Sequence, residues 1–415
     1  RRPLVATQVQ SYVDVYNTTD ASLAGLALKD RLELVIARIL EAPDFHFHWE
    51  NATTSGTRMR VDAFSVASRL SFKLTGSIPD DLLLKAAADG ELETLAGVKA
   101  QAQRLLATPA ARRQFRDMVS FWLKLDTVAS PAVAATSRLG IASDGLSRQR
   151  IRDEVVDETL DFAEHLVFAL NGSFDDLMTS NLSFPRSGDL AKILNVNYPG
   201  GAAPVVTTDG RRGLLTRPSQ LLSNLERERP IHRGAIVRTR FLCDLIPPPP
   251  ADVDQIAADN SASVDPRITS ARNIAATTTK NTSCQTCHSQ FNPLGYVLSG
   301  YGQMGEKISV EKIFDPMTGL QTAALPVDTT GSNLNVVAND DAVADEQDLI
   351  DLVRASGKAR ACLPQMMFRW SHVRDETGVD SCALSEAEAV VRANKPVKDA
   401  LLALIANEDI FWKGP

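Results

Sequence analysis

Hydrophobic residues recur along this chain at spacings of three and four, the period that brings side chains to one face of an α-helix. The longest series runs from Val155 to Leu170. Further series begin at Phe64, Phe115, Leu349 and Val397. Each series predicts an amphipathic helix that buries its apolar face. The alternation of apolar and polar residues that is typical of strands is scarce, and its best example is residues 203–208. We therefore predict a mainly α fold.

Proline, glycine and small polar residues divide these helical series. Residues 77–80, Ser-Ile-Pro-Asp, predict the end of one helix and the start of the next, with Asp80 or Asp81 as the N-cap. Residues 195–210 and 313–345 are rich in loop-forming residues, and we predict a long loop in each. Four consecutive prolines at 247–250 cannot continue a helix and favour an extended spacer, so we place a domain boundary there.

Composition and charge exclude several classes of protein. With 44% hydrophobic and 23% charged residues, the chain resembles folded globular proteins. No apolar run reaches the length of about 18 residues that a membrane-spanning helix needs. The 44 Lys and Arg residues against 51 Asp and Glu give a net charge of −7 without a basic run, which argues against a nucleic-acid-binding protein. The chain starts at Arg1 without a signal segment, so we expect a removed leader or a longer precursor.

The most informative segment is Cys284-Gln285-Thr286-Cys287-His288. Two residues between the cysteines let one helical turn present both thiols to the vinyl groups of a haem, while the adjacent histidine ligates the iron. A structural zinc site would need two further ligands, and no second CxxC or HxxxH follows. A thioredoxin-type pair would follow a strand of a βαβ unit, which the pattern does not show. The motif predicts one covalently attached haem c on Cys284 and Cys287, with His288 as the proximal ligand.

A second axial ligand is usual for the iron of an electron-transfer haem. Met304 is the first candidate because it lies on a glycine-rich segment that we expect to form a loop close to the flat cofactor (Gly295, Gly300, Gly302 and Gly305). The separation of only sixteen residues from His288 counts against it, since this short stretch of chain must reach both faces of the ring. His372 is the second candidate, and His46 and His48 are interpreted as packing residues. The next candidates are Met366, Met367 and His232. For each of them, core packing or a solvated surface is the alternative to ligation.

Covalent haem attachment takes place outside the cytoplasmic membrane, so the motif also predicts an exported chain. An oxidising compartment allows disulfides. Cys362 and Cys382 lie twenty residues apart and flank a helix and a turn, which a helical hairpin could bring within disulfide reach. We predict a Cys362–Cys382 disulfide and a buried free thiol at Cys243. The competing assignment links Cys243 to one of the other two.

Several segments follow one another in an order that resembles a known family. They are RRPL at 1–4 and APDF at 42–45; RLSF at 69–72, SIPD at 77–80 and FWL at 121–123; GLLTRP at 213–218, RPIHRG at 229–234 and the prolines 247–250; the CxxCH motif with NPLGY at 292–296 and VDTTG at 327–331; and residues 362–374 with Cys382. Together they resemble the multi-domain secreted c-type cytochromes of planctomycete and myxobacterial type, whose modules are mostly of unknown function.

The resemblance implies several helical modules followed by a cytochrome c-like domain with a C-terminal helical hairpin. The expected domains are an N-terminal helical module (1–60), a second helical module (61–194), a connecting module that ends in the proline spacer (195–250), the haem domain (251–345) and a C-terminal helical module that completes it (346–415). Met304 stands where the family usually has another apolar residue, and His372 where it commonly has Leu. Neither residue therefore inherits a ligand role from the resemblance.

The expected function is that of an exported bacterial mono-haem c-type cytochrome, periplasmic or at the cell surface, acting in electron transfer. We expect an electron carrier rather than a catalyst, with an unidentified redox protein as its partner and a place in a larger assembly as a further expectation. Two alternatives stay open. The first is a haem enzyme of peroxidase or oxidase type with an open distal site, and the second is a surface or assembly protein in which haem is structural.

Overall fold

The structure is a computed structural model that describes residues 2–17, 25–47, 49–201, 203–249, 253–262 and 264–413. Three features of the sequence analysis lie outside the described residues. These are the first residue Arg1, the candidate His48 and the predicted domain boundary between residues 250 and 251.

Helices make up 59% of the structure and strands 8%, which confirms the mainly α fold. The α-helices of the described residues are α1 (Ala6–Asn17), α2 (Leu28–Glu41), α3 (Pro43–His46), α4 (Ala63–Thr75), α5 (Asp81–Ala88), α6 (Leu95–Leu106), α7 (Pro109–Leu123), α8 (Val133–Arg138), α9 (Gly145–Glu164), α10 (Phe174–Thr179), α11 (Gly188–Leu194), α12 (Pro218–Leu221), α13 (Pro230–Ile236), α14 (Val253–Ser261), α15 (Ala271–Thr278), α16 (Thr282–Val297), α17 (Glu346–Ala355), α18 (Gly357–His372), α19 (Ser381–Arg392) and α20 (Val397–Ile405). Two helices, α9 and α13, continue into π-helical turns, His165–Ala169 and Val237–Phe241. Short 3₁₀ helices cover Glu91–Glu93, Leu125–Thr127, Leu214–Thr216, Leu298–Gly300, Gly378–Asp380 and Glu408–Phe411.

In the part of the chain that the structure describes, the strands form three antiparallel pairs, each of two strands. They are β1 (Ala52–Ser55) with β2 (Arg58–Val61), β3 (Leu182–Ser183) with β4 (Val205–Val206), and β5 (Val310–Phe314) with β6 (Gln321–Pro326). The strand expected at 203–208 is thus only two residues long.

The segment 313–345 is not a continuous loop as expected, because it contains β6. The turn before β6 explains the difference. The carboxylate of Asp315 accepts hydrogen bonds from the backbone N–H groups of Met317 and Thr318, and Gly319 supplies a positive φ of 70°. A side chain that bonds the backbone two and three residues on closes a tight turn, so the chain reverses into a hairpin.

The break predicted at residues 77–80 is confirmed. Helix α4 ends at Thr75, and Gly76 adopts the left-handed conformation with a φ of 66°. The side chain of Asp80 then accepts a hydrogen bond from the backbone N–H of Leu83 and so caps α5. Glycine after a helix and aspartate before the next one are the residues that these two backbone positions favour.

The chain divides into two compact units. The first consists of residues 1–111 and 405–415, and its buried side chains include Val66, Leu70, Leu83, Leu92 and Leu105. The second consists of residues 112–404. The five modules bounded at 60, 194, 250 and 345 stay a prediction.

Among the described residues of the second unit, buried hydrophobic side chains form a larger and a smaller cluster. The larger one draws on α7, α9, α13, α16, α17 and α18, and it includes Phe115, Phe162, Leu294, Val353 and Leu363. The smaller one lies among α8, α9 and α11. Helices α18 and α19 pack against each other as the expected C-terminal hairpin. In the described part of the chain, every helix is too short or too polar to cross a lipid bilayer.

Candidate functional site

The CxxCH motif lies in the first two turns of α16. Cys287 follows Cys284 by three residues, and His288 follows Cys284 by four. The three side chains therefore share one face of the helix. All three side chains are half-buried, and both cysteine thiols are unpaired. Two free thiols and an imidazole are therefore presented together on a partly accessible surface.

The second half of α16 is anchored in the core by a close helix crossing. A Cβ atom on Gly234 of α13 would lie 1.8 Å from the carbonyl oxygen of Phe291, and one on Gly295 of α16 would lie 1.8 Å from the carbonyl oxygen of Pro230. The two helices thus touch backbone to backbone, which only glycine permits. Leu294 is fully buried beside this crossing. The helix is buried at its C-terminal end and accessible at the end that bears the motif.

The glycines after the motif do not have the surroundings predicted from the sequence. Gly295 lies inside α16 and contacts α13, so it is not part of a loop. A Cβ atom on Gly302 would clash with the carboxylate of Glu306, and one on Gly305 would lie 2.9 Å from the Cα of Pro218. These glycines allow close packing within the protein rather than close approach to a cofactor.

Two buried arginines donate hydrogen bonds to backbone carbonyl oxygens of α16 and of the segments next to it. Arg238 donates to the carbonyl oxygen of Gln290 on α16 at 2.8 Å and to that of Asn335 at 2.8 Å. Arg233 donates to the carbonyl oxygens of Leu298 and Tyr301 at 3.0 and 2.6 Å. Desolvation lowers the pKa of Arg233 below its usual value, but its Nε and Nη2 also donate to backbone carbonyl oxygens, so all three nitrogens are hydrogen-bonded. Neither arginine is among the candidate residues that the sequence predicts, although Arg233 falls in the RPIHRG segment.

The imidazole of His288 contacts Asn292, which belongs to a small polar network. Its Nδ1 atom lies 3.0 Å from Oδ1 of Asn292, one turn further along α16. The amide nitrogen of Asn292 donates to the hydroxyl of Thr279 at 3.0 Å and to that of Tyr296 at 3.3 Å. The ring of Phe291 lies 4.7 Å from the imidazole, centre to centre. Asn292 was recognised only as part of the NPLGY segment, and its i+4 spacing from His288 is the signal that could have indicated the contact.

Arg272 connects the helix before the motif to the VDTTG segment. Its guanidinium lies 4.9 Å from the ring centre of Tyr296 and donates to the carbonyl oxygens of Asp328 and Thr330. It also forms an ion pair of 3.1 Å with the Asp328 carboxylate. Burial raises the pKa of Tyr296, so its phenol stays protonated at neutral pH. Segments 272–296 and 327–331 thus form one local assembly.

The predicted Cys362–Cys382 disulfide is wrong. Cys362 is bonded to Cys243, with 5.4 Å between the two Cα atoms, and Cys382 is a free, exposed thiol. The competing assignment is the one that forms. Cys362 is buried on α18, which packs on the π-helical turn Val237–Phe241, and Cys243 lies two residues after the end of that turn. Cys382, by contrast, lies in the first turn of α19 with its side chain towards solvent.

Met304 lies in the smaller hydrophobic cluster of the second unit. It is fully buried with Ile151, Val155 and Leu190, and no residue of α16 belongs to this cluster. Its backbone N–H is held by the carboxylate of Glu306 at 2.8 Å. Ligation of a haem iron would require Met304 to leave these contacts.

The other candidate ligands also have defined surroundings. His372 stacks on Phe368 with 4.1 Å between ring centres and an interplanar angle of 12°, and its Nδ1 lies 3.2 Å from the Phe368 carbonyl oxygen. Desolvation, with a smaller contribution from Arg229, lowers the pKa of His232 to about 4. Met367 is fully buried. Within the described residues, no group of three or more His, Cys, Asp or Glu side chains is arranged to hold a metal ion.

Two parts of the chain match family models. Residues 61–196 match PSD4, a protein of unknown function (DUF1592), and residues 211–310 match PSCyt3, a protein of unknown function (DUF1588). The chain therefore contains a DUF1592 domain and a DUF1588 domain, and the second includes Cys284, Cys287 and His288. No curated protein and no solved structure shows significant similarity to the chain.

Proposed function

We propose that this protein is an exported c-type cytochrome with one haem, which acts in electron transfer. The observation that supports the proposal is the face of α16 on which two unpaired thiols and a histidine stand together. These residues fit the group, because Cys284 and Cys287 can each add the S–H bond across a vinyl double bond of the porphyrin. No atom is lost in either addition. His288 would be the ligand of the iron.

The bound haem would supply one-electron redox chemistry. The chain would hold the group on a helix that its glycine crossing and Arg238 fix to the core, so little rearrangement would accompany a change of redox state. The half-buried motif would leave an edge of the group within reach of a redox partner protein. The resemblance to multi-domain secreted c-type cytochromes agrees with this role and with a larger assembly.

Export to the periplasm or the cell surface is part of the proposal. The Cys243–Cys362 disulfide supports it, because disulfides persist in oxidising compartments and are rare where glutathione and thioredoxin keep thiols reduced. Attachment of haem to a CxxCH motif outside the cytoplasmic membrane points to the same location.

A second candidate function, a haem enzyme with an open distal site, is favoured by one observation. Of the first two candidates for the sixth ligand, Met304 packs in a cluster that contains no residue of α16, and His372 stacks on Phe368. If no other side chain reached the iron, its sixth position would be open to a small substrate such as a peroxide.

Expression in a host that attaches c-type haem tests the proposal. The intact mass should exceed that of the polypeptide by one haem, and Cys287→Ala should weaken or abolish covalent retention. Cys382→Ala is the matched control, because this thiol lies outside the motif, and it should retain the haem. A mass equal to that of the bare polypeptide would overturn the proposal. Absorption spectra of the loaded protein separate the two functions: a low-spin iron in both redox states supports electron transfer, and a high-spin ferric iron supports the enzyme.

A further inference from the structure

We propose that Asn292 is a positioning residue that holds the proton of His288 on Nδ1 and so keeps the Nε2 lone pair available for the haem iron. This inference rests on the proposed function for its purpose. The geometry on which it is based belongs to the polypeptide itself and can be tested without haem.

The contact between the two side chains is short and protected. Asn292 follows His288 by four residues on α16, so the two side chains lie on the same face of the helix. Nδ1 and Oδ1 are 3.0 Å apart, which is within hydrogen-bond distance. Asn292 is only 3% exposed, so water competes little for its amide.

The orientation of the Asn292 amide follows from its other partners. The hydroxyl of Thr279 donates its only proton to the carbonyl oxygen of Ala275 at 2.8 Å. Towards Asn292, that hydroxyl can therefore act only as an acceptor, which requires the Nδ2 side of the amide. The hydroxyl of Tyr296 provides a second acceptor for the same nitrogen. With Nδ2 committed to these two groups, it is the carbonyl oxygen Oδ1 that faces the imidazole.

An acceptor next to Nδ1 determines the tautomer of the imidazole. A neutral histidine has one N–H and one lone pair, and the hydrogen bond made by one nitrogen decides the state of the other. Because Oδ1 can only accept, Nδ1 must donate, and the lone pair is left on Nε2. Free histidine favours the opposite tautomer, with the proton on Nε2. Asn292 thus prepares His288 as a ligand before the group is attached, as second partners of metal-bound histidines do.

The test uses the full chain produced without haem attachment, with the ¹⁵N chemical shifts of the imidazoles recorded near pH 8, where histidine is neutral. The His288→Gln variant assigns the signals of His288. In the parent protein, Nδ1 should be protonated and Nε2 should have the shift of an unprotonated nitrogen. Asn292→Ala should move the tautomer ratio towards Nε2–H by about tenfold, the effect of losing one hydrogen bond.

Three further variants make the test specific. Gln290→Ala is the matched control, because the Gln290 side chain on the same helix bonds only back to Thr286, and it should leave the ratio unchanged. Thr279→Val removes the closer of the two acceptors that orient the amide, so it should shift the ratio in the same direction as Asn292→Ala but by less. Asn292→Asp keeps an acceptor of the same size, so it should retain the Nδ1–H tautomer even if Asn292→Ala fails to fold.

A parent protein with the proton on Nε2, or a ratio that Asn292→Ala and Thr279→Val both leave unchanged, would overturn the inference. Loaded protein gives a second readout: Asn292→Asp should lower the reduction potential, because a charged acceptor makes the imidazole a stronger electron donor. Failure of the proposed function is a separate result, since it would appear as a missing haem mass while the tautomer stayed as expected.

Discussion

Gly234 of α13 and Gly295 of α16 lie at a helix crossing so close that a single added methyl group at either position would overlap a backbone carbonyl of the other helix. The crossing joins the helix of the CxxCH motif to the helix that precedes the disulfide. The crossing therefore fixes the C-terminal half of α16 in the core, while the motif in the N-terminal half is near the surface.

Gly295→Ala should destabilise the protein strongly. The new Cβ would lie 1.8 Å from the Pro230 carbonyl oxygen, so the helices must separate and disturb the buried Leu294. Overpacking of this kind costs roughly 1–3 kcal/mol, and backbone overlap puts this case at about the upper end. Denaturant unfolding measures the difference. Gly188→Ala in the first turn of α11 is the control, because its added Cβ meets nothing within 4 Å and should cost less than about 0.5 kcal/mol. Equal stability of the two variants would contradict the crossing.

The Cys243–Cys362 disulfide should appear as a crosslinked peptide in non-reducing mapping. It closes a loop across 119 positions of the chain, for which the chain-entropy model gives a stabilisation of about 5 kcal/mol. Cys243→Ser should therefore lower the free energy of unfolding by roughly 2–5 kcal/mol. Cys382→Ser should leave it almost unchanged, because that thiol is free and exposed. A crosslinked peptide that contains Cys382 would show that the pairing is incorrect.

Stability should fall as the pH rises towards neutrality because of Glu311. Burial, with a contribution from the negative charge of Glu228, raises the pKa of Glu311 to about 7, and the hydrogen bond from the Ala271 backbone and the charge of Arg227 oppose the shift. The unfolded chain releases the same proton at about pH 4.3. Between these values the folded state binds more protons than the unfolded state, so its stability decreases with rising pH. The decrease between pH 5 and 8 should be roughly 1–3 kcal/mol.

Glu311→Gln should remove most of that pH dependence. Its amide oxygen can still accept the hydrogen bond from the backbone N–H of Ala271, which the Glu311 carboxylate accepts at 2.9 Å. The variant should thus be more stable than the parent at pH 8 and similar to it at pH 5. Glu386→Gln, at an exposed position of α19, is the control and should follow the parent. Parallel curves of unfolding free energy against pH for all three proteins would refute the prediction.

Met304→Leu should preserve both stability and, in the haem-loaded protein, the absorption spectrum. Met304 is fully buried among aliphatic side chains, and a swap to Leu of similar volume costs less than about 1.5 kcal/mol in such surroundings. His372→Ala should likewise leave the spectrum unchanged, because the imidazole stacks on Phe368. Loss of a low-spin spectrum in either variant would identify that residue as the sixth ligand.

Local features of the fold were predictable because short stretches of sequence decide them. The stop and start at residues 77–80 depend on a glycine after α4 and an aspartate that bonds the N–H three residues on. The common face of Cys284, Cys287 and His288 follows from helical spacing alone. The α16 contact between His288 and Asn292 is of the same kind, although predicting its chemistry also required the position of Thr279.

Contacts between distant residues depended on the tertiary structure. A spacing of twenty residues made Cys382 an attractive partner for Cys362, but the packing of α18 on the end of α13 brings Cys243 there instead, from 119 positions away. The glycines around Met304 likewise favoured ligation of the iron by this residue, whereas the fold buries the methionine in another cluster. The sequence by itself determined the helices, their ends and the chemistry of the motif, because these depend on neighbours within a few residues. Burial of the apolar helix faces against one another decided which faces, which thiols and which other side chains come into contact. This burial depends on the whole chain at once.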